Sequence, residues 1–104
     1  MTTIEDEEVR NKIRWVLASG LATEVFPRAD AHEDVLKITH QLQLAGDLNS
    51  KLRIGGFTAY PVVHDGISQA CETCMYYKVH RKFCELPELN LPVEPDWSCR
   101  LWRI

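Results

Sequence analysis

Residues 71–102, CETCMYYKVHRKFCELPELNLPVEPDWSCRLW, hold all four cysteines of the 104-residue chain. Cys71, Cys74, Cys84 and Cys99 follow the spacing C-x2-C-x9-C-x14-C, and the seventy residues before them contain no cysteine. A CxxC turn brings two sulfurs together with backbone N–H groups able to point at them, and further ligands can come from any distance along the chain. Pro87, Pro92 and Pro95 exclude a continuous helix or a central strand between Cys84 and Cys99. Leu89, Leu91 and Val93 alternate with Asn90 and Pro92, which reads as an extended arm showing one apolar face. Such an arm makes few backbone hydrogen bonds of its own, and a metal centre bound at both its ends is expected to tie it down. From Ile67 onward the chain is therefore expected to be loop-rich and organised by its cysteines.

Three occupants of the quartet are open at this point. Structural zinc commonly uses two CxxC turns facing each other, and the second turn is missing here. A [4Fe–4S] cubane takes one thiolate per iron and tolerates wide gaps between ligands. A metal-free dithiol pair belongs at a helix start after a strand, and it leaves Cys84 and Cys99 without a role. Tyr76 and Tyr77 follow Cys74, Phe83 precedes Cys84, and Trp97 and Trp102 bracket Cys99. Bulky rings keep water from sulfide and favour the cubane, although the same rings also serve as the core of a small lobe. The cofactor- and metal-binding residues are thus expected to be Cys71, Cys74, Cys84 and Cys99, with a [4Fe–4S] cluster preferred and Zn2+ as the alternative.

The pieces Cys71-Glu72-Thr73-Cys74-Met75-Tyr76, then Cys84, then Trp97-Ser98-Cys99-Arg100-Leu101-Trp102, resemble the high-potential iron–sulfur protein (HiPIP) module. That family shows a CxxC followed by an aromatic, a third Cys, an extended stretch, and a final Cys beside an aromatic with another three places on. The resemblance implies one cubane cluster held by Cys71, Cys74, Cys84 and Cys99. The stretch is also similar to the small cluster-bearing subunits of some glycyl-radical enzymes, which work in the cytoplasm. The likeness covers about residues 71–102 and does not extend to the preceding seventy.

Those seventy residues read as helical and then as strand. A first helix is expected from about Ile4 to Ser19, capped by Thr2 or Thr3, with Glu5 to Glu8 at its positive end and Gly20 as its stop. Val9, Ile13, Val16 and Leu17 give it one apolar face. After a connection over 21–29 broken by Pro27, a second helix is expected from near Asp30, with Glu33 in a near-capping-box position. Val35, Ile38, Leu42 and Ala45 form its stripe and Gly46 is the expected C-cap. In 51–63, KLRIGGFTAYPVV, Gly55-Gly56 divides two runs expected to pair as strands, with Pro61 keeping the second at an edge. His64-Asp65-Gly66 is then a turn. The whole reads as one α+β domain: a helical N-terminal part with a short strand pair over 1–66, and a loop-rich cluster-binding lobe over 67–104. A helix-turn-helix fragment is the lesser alternative, because VLKITHQLQL lacks a basic, base-reading face.

The net charge of -3 argues against general nucleic-acid binding. The acidic start, Met1 to Glu8, does not read as a secretory signal, and no stretch is long and apolar enough to cross a membrane. A cytoplasmic setting is expected, where cysteines stay reduced and read as ligands rather than disulfides. His80 lies inside the ligand-bearing stretch and is a minor candidate ligand, while His32, His40 and His64 read as bystanders. Lys78 to Lys82 reads as a solvated basic face, and Gly55-Gly56 lacks the remainder of a phosphate loop. His64, Asp65 and Ser68 are close only along the chain, which is no triad. No catalytic constellation is visible. The expected function is a small iron–sulfur protein for electron transfer, or an accessory subunit bound to a redox enzyme. The alternative is a zinc-binding structural or interaction module with a protein or regulatory partner, DNA included.

Overall fold

In the computed structural model, which describes residues 4–103, helix α1 runs from Ile4 to Ala18. The expected caps, Thr2 and Thr3, lie outside the described residues. Glu5, Asp6 and Glu7 occupy the first turn, where the helix dipole favours negative charge. Ile13 and Val16 are buried, with Val9 and Leu17 packed beside them, as the spacing requires. Gly20 takes a positive φ of 94° and donates its N–H to the Leu17 carbonyl, ending the helix.

Helix α2 covers His32–Leu44, two residues later than Asp30. Its cap explains the offset. The Asp34 carboxylate, not that of Glu33, accepts the Ala31 N–H at 3.4 Å, so the helix is counted from Ala31. Ile38 and Leu42 are buried, and the chain leaves the helix at Ala45, one residue before Gly46.

The stretch read as a first strand is a helix instead. Helix α3, Leu48–Ile54, starts at Asp47, whose carboxylate accepts the Ser50 N–H at 3.3 Å. Lys51, Leu52 and Arg53 are good helix formers, the two cations complement the C-terminal end, and Leu52 is fully buried. Gly55-Gly56 therefore ends a helix rather than dividing strands. The strand pair forms further on, between β1 (Val62–His64) and β2 (Ile67–Gln69), antiparallel. Asp65 and Gly66 both take positive φ, 52° and 76°, which is the two-residue turn a right-twisted hairpin favours. The His64-Asp65-Gly66 turn is where the sequence put it, and Pro61 sits just outside β1.

The cysteine-bearing lobe has more regular structure than its prolines suggest. After one 3-10 turn, Cys71–Thr73, come β3 (Tyr77–Lys78), β4 (Phe83–Cys84) and β5 (Leu91–Pro92), an antiparallel sheet in the order β3-β4-β5. Pro92 lies on an edge strand, opposite Phe83. The arm also has ties that the sequence did not reveal. Leu86, Leu89, Leu91 and Val93 are all buried, and the Val93 N–H donates to the Lys82 carbonyl at 2.9 Å. Side chains buried this completely stabilise by roughly 1.5–3 kcal/mol each.

Arg10 couples α1 to this arm. It is fully buried, and its Nε donates to the Val93 carbonyl at 3.2 Å while Nη2 donates to the carbonyls of Lys82 at 2.9 Å and Arg81 at 3.2 Å. Glu7 and Glu94 supply the countercharge. One hydrophobic cluster then runs from Ile13 and Val16 on α1, through Ile38, Leu42, Leu52 and Phe57, to Leu89, Val93, Trp97 and three of the cysteines. The fold is α+β, with a helical N-terminal part leaning on a small sheet and its connecting turns. Among the described residues no helix is long and apolar enough to cross a membrane.

Candidate metal centre

Each cysteine is placed by a different element. The 3-10 turn Cys71–Thr73 presents the first pair, closing with a Cys74 N–H bond to the Cys71 carbonyl at 3.0 Å. The chain just before Cys99 pins that turn, since the Trp97 carbonyl accepts the Cys71 N–H at 2.6 Å and the Pro95 carbonyl accepts from Glu72 at 3.0 Å. Cys84 lies on the central strand β4, between Tyr77 on one side and Leu91 on the other. Cys99 follows Ser98, which pairs with Thr58 through reciprocal backbone bonds of 2.9 and 3.1 Å.

All four cysteines line one cavity, together with Phe57, Tyr77 and Trp102. The cavity is small, about 10 Å³, and its walls are almost wholly apolar. A single water-sized sphere nearly fills the part a solvent molecule can enter. A cubane core of four irons and four sulfides is larger than this space, so loading it requires the lining side chains to move outward. The cysteines form no disulfide.

The sulfurs do not form a compact ligand set as they stand. Among the described residues, the one group of three or more His, Cys, Asp or Glu donors all within 4.8 Å of one another is Asp30, His64 and Asp65. No three cysteine sulfurs meet that limit. Around a zinc ion with bonds of about 2.3 Å, tetrahedral geometry puts the sulfurs only about 3.8 Å apart. A cubane attaches each thiolate to its own iron and spreads the four more widely. Either occupant therefore requires the cysteine side chains to move from these positions.

Burial dominates the electrostatics. It pushes the Cys71 and Cys99 thiols well up, with neighbouring cysteines adding to the effect, and raises Cys84 from 9.0 to about 11. Backbone N–H groups offset part of this: that of Leu86 is directed at the Cys84 sulfur and that of Leu101 at the Cys99 sulfur. Arg28 brings a cation to the same side. It is buried, donates to the Cys99 carbonyl at 2.7 Å and the Ser98 hydroxyl at 3.1 Å, and is held by two bonds to the Gln69 side-chain oxygen. Desolvation lowers the Arg28 pKa and the charge of a Cys99 thiolate raises it. Four thiolates in so dry a space require a positively charged partner, and a thiolate-bound cluster in turn is a net anion that Arg28 complements.

The raised thiols fix a pH dependence for metal-free protein. Above about pH 9 the thiols ionise in the unfolded chain while the native state keeps its protons, so the native state binds more protons and stability falls as pH rises. Each such thiol removes up to about 1.4 kcal/mol per pH unit until its folded pKa is reached. Denaturant unfolding of metal-free protein between pH 8 and 11 should show this decline, and Cys84→Ser should make it shallower. A flat profile would refute the assignment of buried, protonated thiols.

The expected aromatics divide into two groups. Tyr77 and Trp102 face the cavity, whereas Phe83 and Trp97 are core residues elsewhere, with the Arg81 guanidinium 3.7 Å above the Phe83 ring. Phe57 was missed. Its signal was the preceding Gly55-Gly56: Gly56 has φ of 63°, and any Cβ there would collide with the Glu24 carbonyl, so only glycine turns the chain to aim Phe57 inward. Arg28 gave no signal, being one arginine in a connection. His80 is exposed and does not line the cavity. His64 Nε2 lies 3.0 Å from Asp30 and 3.5 Å from Asp65 on the surface, an arrangement that a histidine–carboxylate pair accounts for. Compared with family models, curated proteins and solved structures, the chain matches none.

Proposed function

We propose that Cys71, Cys74, Cys84 and Cys99 hold one [4Fe–4S] cluster, and that the protein is a small one-electron carrier or the accessory subunit of a redox enzyme. The observation that carries this reading is the convergence of four cysteines, up to 28 positions apart, on one apolar cavity. The cluster would supply a one-electron redox couple. The protein's part is to exclude water with Phe57, Tyr77 and Trp102, to direct the Leu86 and Leu101 N–H groups at sulfur, and to set the Arg28 cation nearby. These are the levers by which a protein tunes such a centre.

A reducing compartment such as the cytoplasm suits four unpaired thiols. A protein partner suits the exposed Trp15 and Leu44 of the N-terminal helices, and their acidic residues disfavour nucleic acid. The zinc-binding interaction module stays as the second reading, because a four-thiolate donor set is also one that zinc takes. Voltammetry and absorption spectroscopy on protein reconstituted under anaerobic conditions with iron and sulfide separate the two. A brown protein whose visible absorption bleaches on reduction and returns on oxidation is expected. Protein that takes up zinc stoichiometrically but forms no coloured species refutes the redox role.

A further inference from the structure

The four cysteines are not equivalent. Cys71, Cys84 and Cys99 keep 7, 8 and 7 % of their surface exposed, whereas Cys74 is only partly buried and lies between exposed Thr73 and a Met75 that is 60 % exposed. The attachment to the fold follows the same division. Cys71 is bonded to Trp97 across the lobe, Cys84 is paired on both sides within a sheet, and Cys99 is flanked by the Thr58–Ser98 bridge and gives its carbonyl to Arg28. The backbone bonds of Cys74 itself are local, to Cys71 and Tyr77. Three ligands are thus buried, and the fourth is partly exposed on a turn whose next residue, Met75, donates its N–H to the Arg103 carbonyl at 2.7 Å.

We propose that Cys74 is the exchangeable ligand of the quartet: its iron is the one lost on oxidation and the one that a soft anion from solution, a thiolate, can reach. This rests on the cluster reading above and assigns that cluster a reactive corner. A thiolate that can swing outward uncovers its iron without disturbing the sheet or the buried turns. Withdrawal of any of the other three requires the core to open. The chemistry balances: with ferricyanide as one-electron oxidant, [4Fe–4S]2+ gives [3Fe–4S]+, Fe2+ and one electron, and the released Cys74 thiolate takes a proton from solvent. Reduction with added ferrous iron reverses the step. A corner of this kind makes the protein responsive to oxidants and to small thiols.

The test uses full-length wild-type protein and the variants Cys74→Ala, Cys74→Ser, Cys71→Ala, Cys84→Ala and Cys99→Ala, all reconstituted anaerobically. Iron, sulfide, electron paramagnetic resonance and far-ultraviolet circular dichroism are read on each. In wild type, one equivalent of ferricyanide should release about one iron of four and produce a three-iron signal, since each thiolate serves one iron. Both Cys74 variants should keep about three irons per chain and return to four with ferrous iron and mercaptoethanol, while the other three variants lose most of their iron. The assignment is overturned if folded Cys74→Ala and Cys74→Ser lose iron as completely as the rest. It is equally overturned if oxidised wild type sheds all its iron with no three-iron stage. Wild type that never acquires iron and sulfide is a different failure, which removes the cluster itself and this corner with it.

Discussion

Replacing Cys99 with alanine is expected to reduce bound iron from about four per chain to less than one, because it removes one of the three buried ligands and leaves the core held by two of them and the partly exposed Cys74. The substitution is mild for the polypeptide. Cys99 is a small buried side chain, and its backbone is fixed independently by Arg28, which donates to its carbonyl, and by the Trp102 N–H at 3.3 Å. Metal-free wild type and metal-free Cys99→Ala should therefore unfold within about 1–2 kcal/mol of each other. Cluster-loaded wild type should exceed both by several kcal/mol, since ligand binding to the native state adds directly to stability. Hydrogen exchange should locate the difference in the Cys71–Thr73 turn and around Trp97–Trp102, rather than in the Leu86–Asp96 arm. The result that removes Cys99 from the ligand set is a variant that keeps its iron and colour.

The second large effect is expected at Arg10. Arg10→Ala leaves the carbonyls of Val93 and Arg81 without the guanidinium, while the Lys82 carbonyl keeps the Val93 N–H, and it removes one of the three cations, with Arg14 and Lys82, that face Glu94. Stranded buried acceptors cost about 1–3 kcal/mol each, and a broken buried ion pair about 3–5 in all, so a loss of about 4 kcal/mol is expected. For a chain of this length that is a fall of roughly 15–30 °C in Tm. Arg10→Lys should recover only a minority of it, because an ammonium keeps the charge but not the planar fork that reaches three carbonyls. Calorimetry on metal-free protein isolates this effect from cluster binding. Equal Tm values for Arg10→Ala and wild type would show that α1 docks on the arm without the guanidinium.

These two residues also mark what could and could not be read from the sequence. Cysteine spacing identified the four side chains that line the cavity, because a short CxxC turn and two further unpaired cysteines read as one ligand set. Apolar periodicity identified α1 and α2, whose buried residues Ile13, Val16, Ile38 and Leu42 recur at helical spacing. The same reasoning failed at residues 51–54. There the β-branched and aromatic residues downstream outweighed the Asp47 cap, which alone signalled α3.

The arm was misjudged for a related reason. Its prolines correctly excluded a helix and a central strand, but nothing local shows that Leu89 and Val93 are buried or that the Val93 carbonyl meets Arg10 on α1. The arm is therefore held by its own packing and by Arg10, and not only, as its sequence suggests, by whatever the cysteines bind. Arg10 and Arg28 were invisible for the same cause. A single arginine on a helix or in a connection reads as solvated until the fold shows which carbonyls it meets. Phe57 lies between these cases, since a Gly-Gly pair signals a sharp turn without saying what the next side chain will face.

Whether sulfur and iron share the cavity is decided most directly by counting atoms. Protein purified without oxygen should contain about four iron atoms and about four acid-labile sulfides per chain, and no stoichiometric zinc. One zinc per chain with no sulfide, or a metal-free protein in which Cys71 to Trp102 is already rigid and resists iron, would contradict it.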